Sequence, residues 1–190
     1  MRPILIIASV LMLITHHDLI KFDDFFTSVF PVKSPTVYKN VSSTKTIYHK
    51  FSSKTKPDKF EISLKGKTIL SGKITFTIHN PSGKLIYKDS FDANLLIDYG
   101  INDDNPAVKQ QEAYITKRFA TFFDNDKFDQ PAVKKTDKFD KDYSEDIKVW
   151  KEIRADPAAV GFTYLTGEEN SRSITWSINQ QKVVVYFSCC

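Results

Sequence analysis

Phe60-Glu61-Ile62-Ser63-Leu64 and Ile74-Thr75-Phe76-Thr77-Ile78 each place large apolar side chains two residues apart, with polar ones between them. Successive side chains of a strand point to opposite faces, so this spacing makes two half-buried strands, apolar inside and wet outside. Ile47, His49 and Phe51 carry the same period upstream, and Leu85 to Phe91 form an apolar-rich strand downstream. Asn80-Pro81-Ser82-Gly83 separates the last two strands. Proline presets one φ and glycine is free to take a positive one, so these four residues predict a hairpin turn.

Beyond the strands the period changes. Asn105-Pro106 resembles a helix start, and Val108, Ile115, Phe119 and Phe122 fall on one face of a helix from about 106 to 123. The stretch from Asp124 to Asp142 is rich in Asp, Lys and Pro and reads as a long solvated loop. Asp-Lys-Phe occurs at 58 to 60, 126 to 128 and 137 to 139, but without the fixed period of a repeat architecture. A second helix fits 143 to 154, with Tyr143, Ile147 and Trp150 on one stripe and Asp156-Pro157 behind its end.

Alternation then returns in Phe162 and Tyr164, in Ile174, Trp176 and Ile178, and in Val183 to Phe187. These segments predict a three-stranded meander joined through 167 to 170 and 179 to 181. Its last strand is apolar on both faces, which predicts a central, doubly covered position. The expected fold is α+β and mainly antiparallel sheet, N-terminal strands plus the C-terminal meander, with two helices covering one sheet face. Residues 36–190 are long enough to form one such domain.

The ends carry different information. Arg2 precedes the apolar run from Ile4 to Ile14, which is broken only by Ser9. A charged start and a core of about 7 to 15 apolar residues are the features of a secretory signal. Residues 1–20 therefore read as a signal peptide or signal anchor, and 21–35, with Phe22, Phe25, Phe26 and Phe30 before Pro31 and Pro35, as a linker or arm. The run resembles the start of bacterial lipoprotein precursors, although the cysteine that would take the lipid is missing. Thr15-His16-His17 offers no pair of small residues for cleavage, which leaves processing or anchoring open.

Cys189 and Cys190 are the chain's two cysteines, so no internal disulfide joins distant segments. Neighbouring Cα atoms lie about 3.8 Å apart, below the usual disulfide span of about 4.4 to 6.8 Å. Modification of Cys189 or Cys190, or a disulfide dimer through either, remains as a use for them. Ser188-Cys189-Cys190 is similar to the prenylated end of Rab-type small GTPases, but the phosphate loop of that family is lacking. Gly66-Lys67-Thr68 supplies only its last three residues, Glu61 stands where the first glycine belongs, and Ile69 onward reads as strand.

The net charge of +4 conceals an uneven distribution. From Lys33 to Lys88 there are twelve lysines against Asp58 and Glu61, whereas from Asp89 to Glu169 eighteen acidic residues face eleven basic ones. Lys45, Lys50, Lys59, Lys65, Lys67 and Lys73 are the candidates for a surface that meets an anionic partner such as lipid headgroups or an acidic polysaccharide. The competing reading is structural, since strands carry lysines on solvent faces to prevent aggregation. Nucleic acid is excluded because the basic half contains no arginine and its aromatics alternate as core residues do.

Chemistry-bearing motifs are few. His16, His17, His49 and His79 have no metal-ligand spacing, so no metal or cofactor is expected. Asp124, Asp126 and Asp129, and the Asp103-Asp104 pair, concentrate oxygen ligands without the glycine and closing glutamate of a calcium loop. Ser42-x-x-Lys45 and Ser53-x-x-Lys56 match the acyl-enzyme S-x-x-K without its companion motifs. Asn40-Val41-Ser42 is a glycosylation sequon. The expectation is an exported or membrane-tethered, noncatalytic binding or structural protein of the cell envelope or exterior, whose partner is a protein, glycan or lipid. The alternative is a secreted hydrolase that pairs a carboxylate such as Asp103 or Asp126 with His49 or His79 and a serine.

Overall fold

Phe60, Ile62, Leu64, Ile74, Phe76 and Ile78 are all buried, and the residues between them face outward. They lie in a computed structural model that describes residues 40–97, 100, 101, 103, 105–144, 146–167 and 170–189. The chain divides into Met1–Tyr38 and Lys39–Cys190, and the second unit is the one described. The signal segment at 1–20, the arm at 21–35, His16, His17, Asp104, Glu168, Glu169 and Cys190 lie outside the described residues.

The fold is α+β and mainly antiparallel sheet. Strands β1 (Val41–His49), β2 (Asp58–Gly66), β3 (Lys73–His79) and β4 (Leu85–Asp92) form one sheet in chain order. Strands β5 (Phe128–Asp129), β6 (Gly161–Leu165), β7 (Ser171–Ser177) and β8 (Lys182–Cys189) form a second, also in chain order. Helix α1 (Val108–Ala120) lies between the two sheets in sequence, and helix α2 (Ile147–Ala155) lies within the second, between β5 and β6.

Aromatic rings join the sheets. Phe76 of β3 lies 5.4 Å from Phe162 and 5.2 Å from Tyr164 on β6, and Phe60 of β2 lies 5.6 Å from Phe162. Most of these pairs meet edge to face or tilted, geometries that add about 0.5–1.5 kcal/mol per pair beyond area burial. Ile115 and Phe119 of α1, with Phe122 and Phe123 after it, belong to the same core. Val108, expected on that face, is exposed.

The hairpin turn follows the sequence reading. Asn80 Oδ1 accepts hydrogen bonds from the backbone N–H groups of Ser82 and Lys84, and Gly83 takes a φ of 83°. The β2–β3 connection does not. Ile69 lies in a turn instead of a strand, where Glu112 of α1 accepts from the N–H groups of Ile69 and Leu70 at 3.1 and 3.2 Å. A distant carboxylate thus replaces ladder partners, something local pattern does not reveal.

A second, smaller core contains Val133, Val149, Trp150, Ile153 and Tyr186. The helices therefore serve two clusters and share no single face. Helix α2 begins at Ile147, where Asp146 accepts from Lys148 N and Val149 N, so its buried stripe is Val149, Trp150 and Ile153. Tyr143 and Ile147 are exposed. Strand β8 is an edge and not a central strand, with Tyr186 its one buried side chain among the described residues. Double cover belongs to β7, where Ile174 joins the aromatic core while, on the other face, buried Thr175 donates to Val160 O and buried Ser177 to Glu152 of α2. Small hydroxyl residues hid this strand's second face from a hydrophobicity pattern. Nor is 124 to 142 wholly solvated, because Phe128 pairs with Phe162 in the second sheet and Val133 is buried.

Candidate binding site

Asp58, fully buried at the start of β2, accepts hydrogen bonds from Phe51 N at 3.0 Å and Ser52 N at 2.8 Å, and from the Ser52 hydroxyl. A buried carboxylate must be compensated in this way. Its consequence is a fixed path for the β1–β2 loop. Ser53 Oγ completes the loop by accepting from the N–H groups of Thr55 and Lys56, which explains the Ser53-x-x-Lys56 match as turn chemistry.

This loop walls a cleft of about 540 Å³. Phe51, Val160 and Trp176 give it apolar lining, Gln130 and Ser53 give it hydrogen-bonding groups, and Lys50 and Lys54 bring positive charge. Asp156 also lines the cleft, 3.5 Å from Lys54 Nζ and accepting from Ala158 N at 2.9 Å. Gln130 is held by the bond from its Nε2 to Ala158 O at 3.2 Å.

A second groove of about 380 Å³ lies beside it. Tyr48, Lys59 and His79 are cross-strand neighbours on β1, β2 and β3, and they line this groove with Pro57, Asn80 and Pro81. Tyr48 is 68% exposed, the most open large apolar side chain among the described residues, and lines both cavities together with Pro57. Lys59 pairs with Glu61 at 2.7 Å, and the hydrogen bond from Lys59 holds the Glu61 carboxyl below its ordinary value. His79 Nδ1 is buried without a hydrogen-bond partner.

The candidate lysines do not make one patch. Lys50 and Lys59 lie at these cavities, while Lys65 and Lys73 are neighbours toward the opposite end of the sheet, near Lys67 in the β2–β3 turn. Lys73 pairs with Asp92 at 3.3 Å. Lys45 is on the core-facing side of β1, where Nζ donates to Ala120 O and closes the C-terminal end of α1. That cation also complements the helix dipole.

His49 shares the larger cleft with Ser52, Ser53 and Asp156, but its contacts are of another kind. Its ring stacks on Phe128 at 4.2 Å and its Nδ1 lies 2.9 Å from Lys50 O. Among the described residues no hydrogen bond joins His49 or His79 to a serine or carboxylate. Asp103 accepts from Asn105 N, and Asp126, paired with Lys127, lines a separate cavity of about 400 Å³. Cys189 pairs with Ser171 at the end of β8. No group of three or more metal-ligating side chains occurs among the described residues, and no described helix is long and apolar enough to cross a membrane.

Sequence reasoning passed over Tyr48, Trp176 and Gln130 as site residues, because an exposed aromatic in a strand has the same local pattern as a core one. It also passed over a half-buried polar cluster between the two sheets. Tyr164 of β6 donates to Asp89 of β4, Arg172 of β7 donates to the same oxygen at 2.8 Å, and the Tyr87 and Tyr164 hydroxyls meet at 2.5 Å. The available sign was Asp89 itself, a charge in phase with Tyr87 and Phe91 on an apolar face. No protein-family model, curated protein or solved structure matches the chain.

Proposed function

We propose that the chain is an exported or membrane-tethered, noncatalytic binding protein that takes an acidic glycan in the cleft beside the β1–β2 loop. The observation that carries this reading is the cleft's mixed lining, with Tyr48 and Trp176 as rings, Gln130 and Ser53 as hydrogen-bonding groups, and Lys50 and Lys54 as cations. A sugar presents apolar C–H faces and hydroxyl edges, and needs rings and polar groups side by side. A uronate adds a carboxylate, for which lysines are complementary. The half-polar lining fits a lipid tail poorly, since hydrocarbon would leave Gln130 and Ser53 facing an apolar chain. Export rests on the charged start and apolar run at residues 2–14.

Hydrolysis is the weaker reading, because the cleft's histidine is not joined to a serine or carboxylate: His49 stacks on Phe128 with its Nδ1 against Lys50 O, while Ser52 bonds to Asp58 and Asp156 to Ala158 N and Lys54. Calorimetric titration of the full chain with polygalacturonate and with its fully methyl-esterified form tests the proposal. The acid form binds, more weakly as salt rises, and the ester does not. Equal binding of both forms, or binding of neither, rejects the acidic-glycan assignment, and release of reducing ends during the titration rejects the noncatalytic one.

A further inference from the structure

We infer that the glycan site is an extended track running across both grooves, with the Tyr48 ring between its two halves. The inference rests on the acidic-glycan reading and adds the form of the ligand, a linear polymer several sugars long. The cleft and the groove are separate cavities of about 540 and 380 Å³ that share Tyr48 and Pro57. A shared wall that is also the most exposed ring, at 68%, is placed to be crossed by a chain entering one groove and leaving by the other.

Cations recur along the same path. Lys50 and Lys54 stand at the first cavity and Lys59 at the second, so successive acidic units each meet a positive side chain. Asp156 is the carboxylate lining this path, paired with Lys54, and Glu61, outside the lining, pairs with Lys59. Such surface pairs are worth only about 0–1 kcal/mol, so an incoming carboxylate can share either lysine at small cost. Lys50 has no acidic partner among the described residues. The rigidity of the path comes from the β1–β2 loop bound to Asp58, next to Tyr48, and the hairpin bound to Asn80, next to His79, both at the same end of the sheet.

The test is a length series. Oligogalacturonates from dimer to octamer are titrated against the full chain at constant salt. Occupying two linked subsites raises affinity through effective concentration, so the hexamer binds roughly tenfold or more tighter than the dimer. Lys59→Gln, a substitution at a half-exposed position on the solvent face of β2, brings that ratio toward one. Affinity independent of length overturns the track and leaves the acidic-glycan reading intact. No binding at any length overturns both. Poly-glutamate binding as tightly as an oligogalacturonate of equal charge overturns both as well, because charge alone would then suffice.

Discussion

Tyr164 donates its hydroxyl proton to Asp89 Oδ2 at 2.8 Å, joining β6 of one sheet to β4 of the other. The bond sits where the aromatic core meets a polar edge. Arg172 reaches the same oxygen, and the Tyr87 hydroxyl completes the group. An inward-facing carboxylate is costly alone and tolerable with charged and phenolic donors, so the four residues stand or fall together.

Tyr164→Phe keeps the ring among Phe76, Phe122 and Phe162 and removes only the hydroxyl. The variant should lose about 0.5–1.5 kcal/mol of stability, the worth of one hydrogen bond to a half-buried carboxylate that keeps Arg172 as a second donor. Urea unfolding of the two proteins measures it. An unchanged midpoint would show that Arg172 alone satisfies Asp89.

Burial raises the pKa of the Tyr87, Tyr164 and Tyr186 phenols, helped at Tyr186 by the negative charge of Asp129. The native state therefore holds these protons more tightly than the unfolded chain, whose phenols titrate near about 10. Their contribution to stability is complete below pH ~10 and is lost as pH rises toward the higher native values. The urea midpoint should fall steeply above that pH, together with a rise in phenolate absorbance. A midpoint that stays level while phenolate forms would contradict this assignment.

Asp58→Ala leaves two backbone N–H groups and the Ser52 hydroxyl without their acceptor. The expected loss is about 2–4 kcal/mol. Because the loop that Asp58 holds walls the cleft proposed for the glycan, affinity for polygalacturonate should also fall in the fraction that remains folded. Destabilisation with full affinity would mean that the loop is not part of the site.

Export has its own measurement. Intact mass and fractionation of protein from the native host should find it outside the cytosol, either shortened at its N-terminus or held in the membrane fraction. Unmodified full-length protein in the cytosol would remove the exported assignment. The same spectra report any lipid on Cys189 or Cys190 and any disulfide dimer.

The first sheet was legible because its code is local: Phe60, Ile62 and Leu64 alternate with solvated residues, and Asn80 to Gly83 spell out a turn. What stayed hidden depends on partners far along the chain. Ile69 looks like strand until Glu112 caps its N–H, and β7 looks one-sided because Ser173, Thr175 and Ser177 are small enough to be buried beneath other residues. At the site, Lys50 and Lys59 could be singled out by charge. Their separation from Lys45 could not, since it depends on which strand face each lysine occupies and on the carbonyl of Ala120.

The central claim is that an acidic glycan occupies the cleft beside Trp176. Trp150, the other tryptophan, is buried in the second core, so Trp150→Phe leaves Trp176 as the sole indole reporter. Titrating this variant with hexagalacturonate should shift the emission of Trp176 along a saturable curve that weakens with salt, and the methyl ester should leave it unmoved. Emission that ignores the acid form, or responds equally to both, would contradict the account.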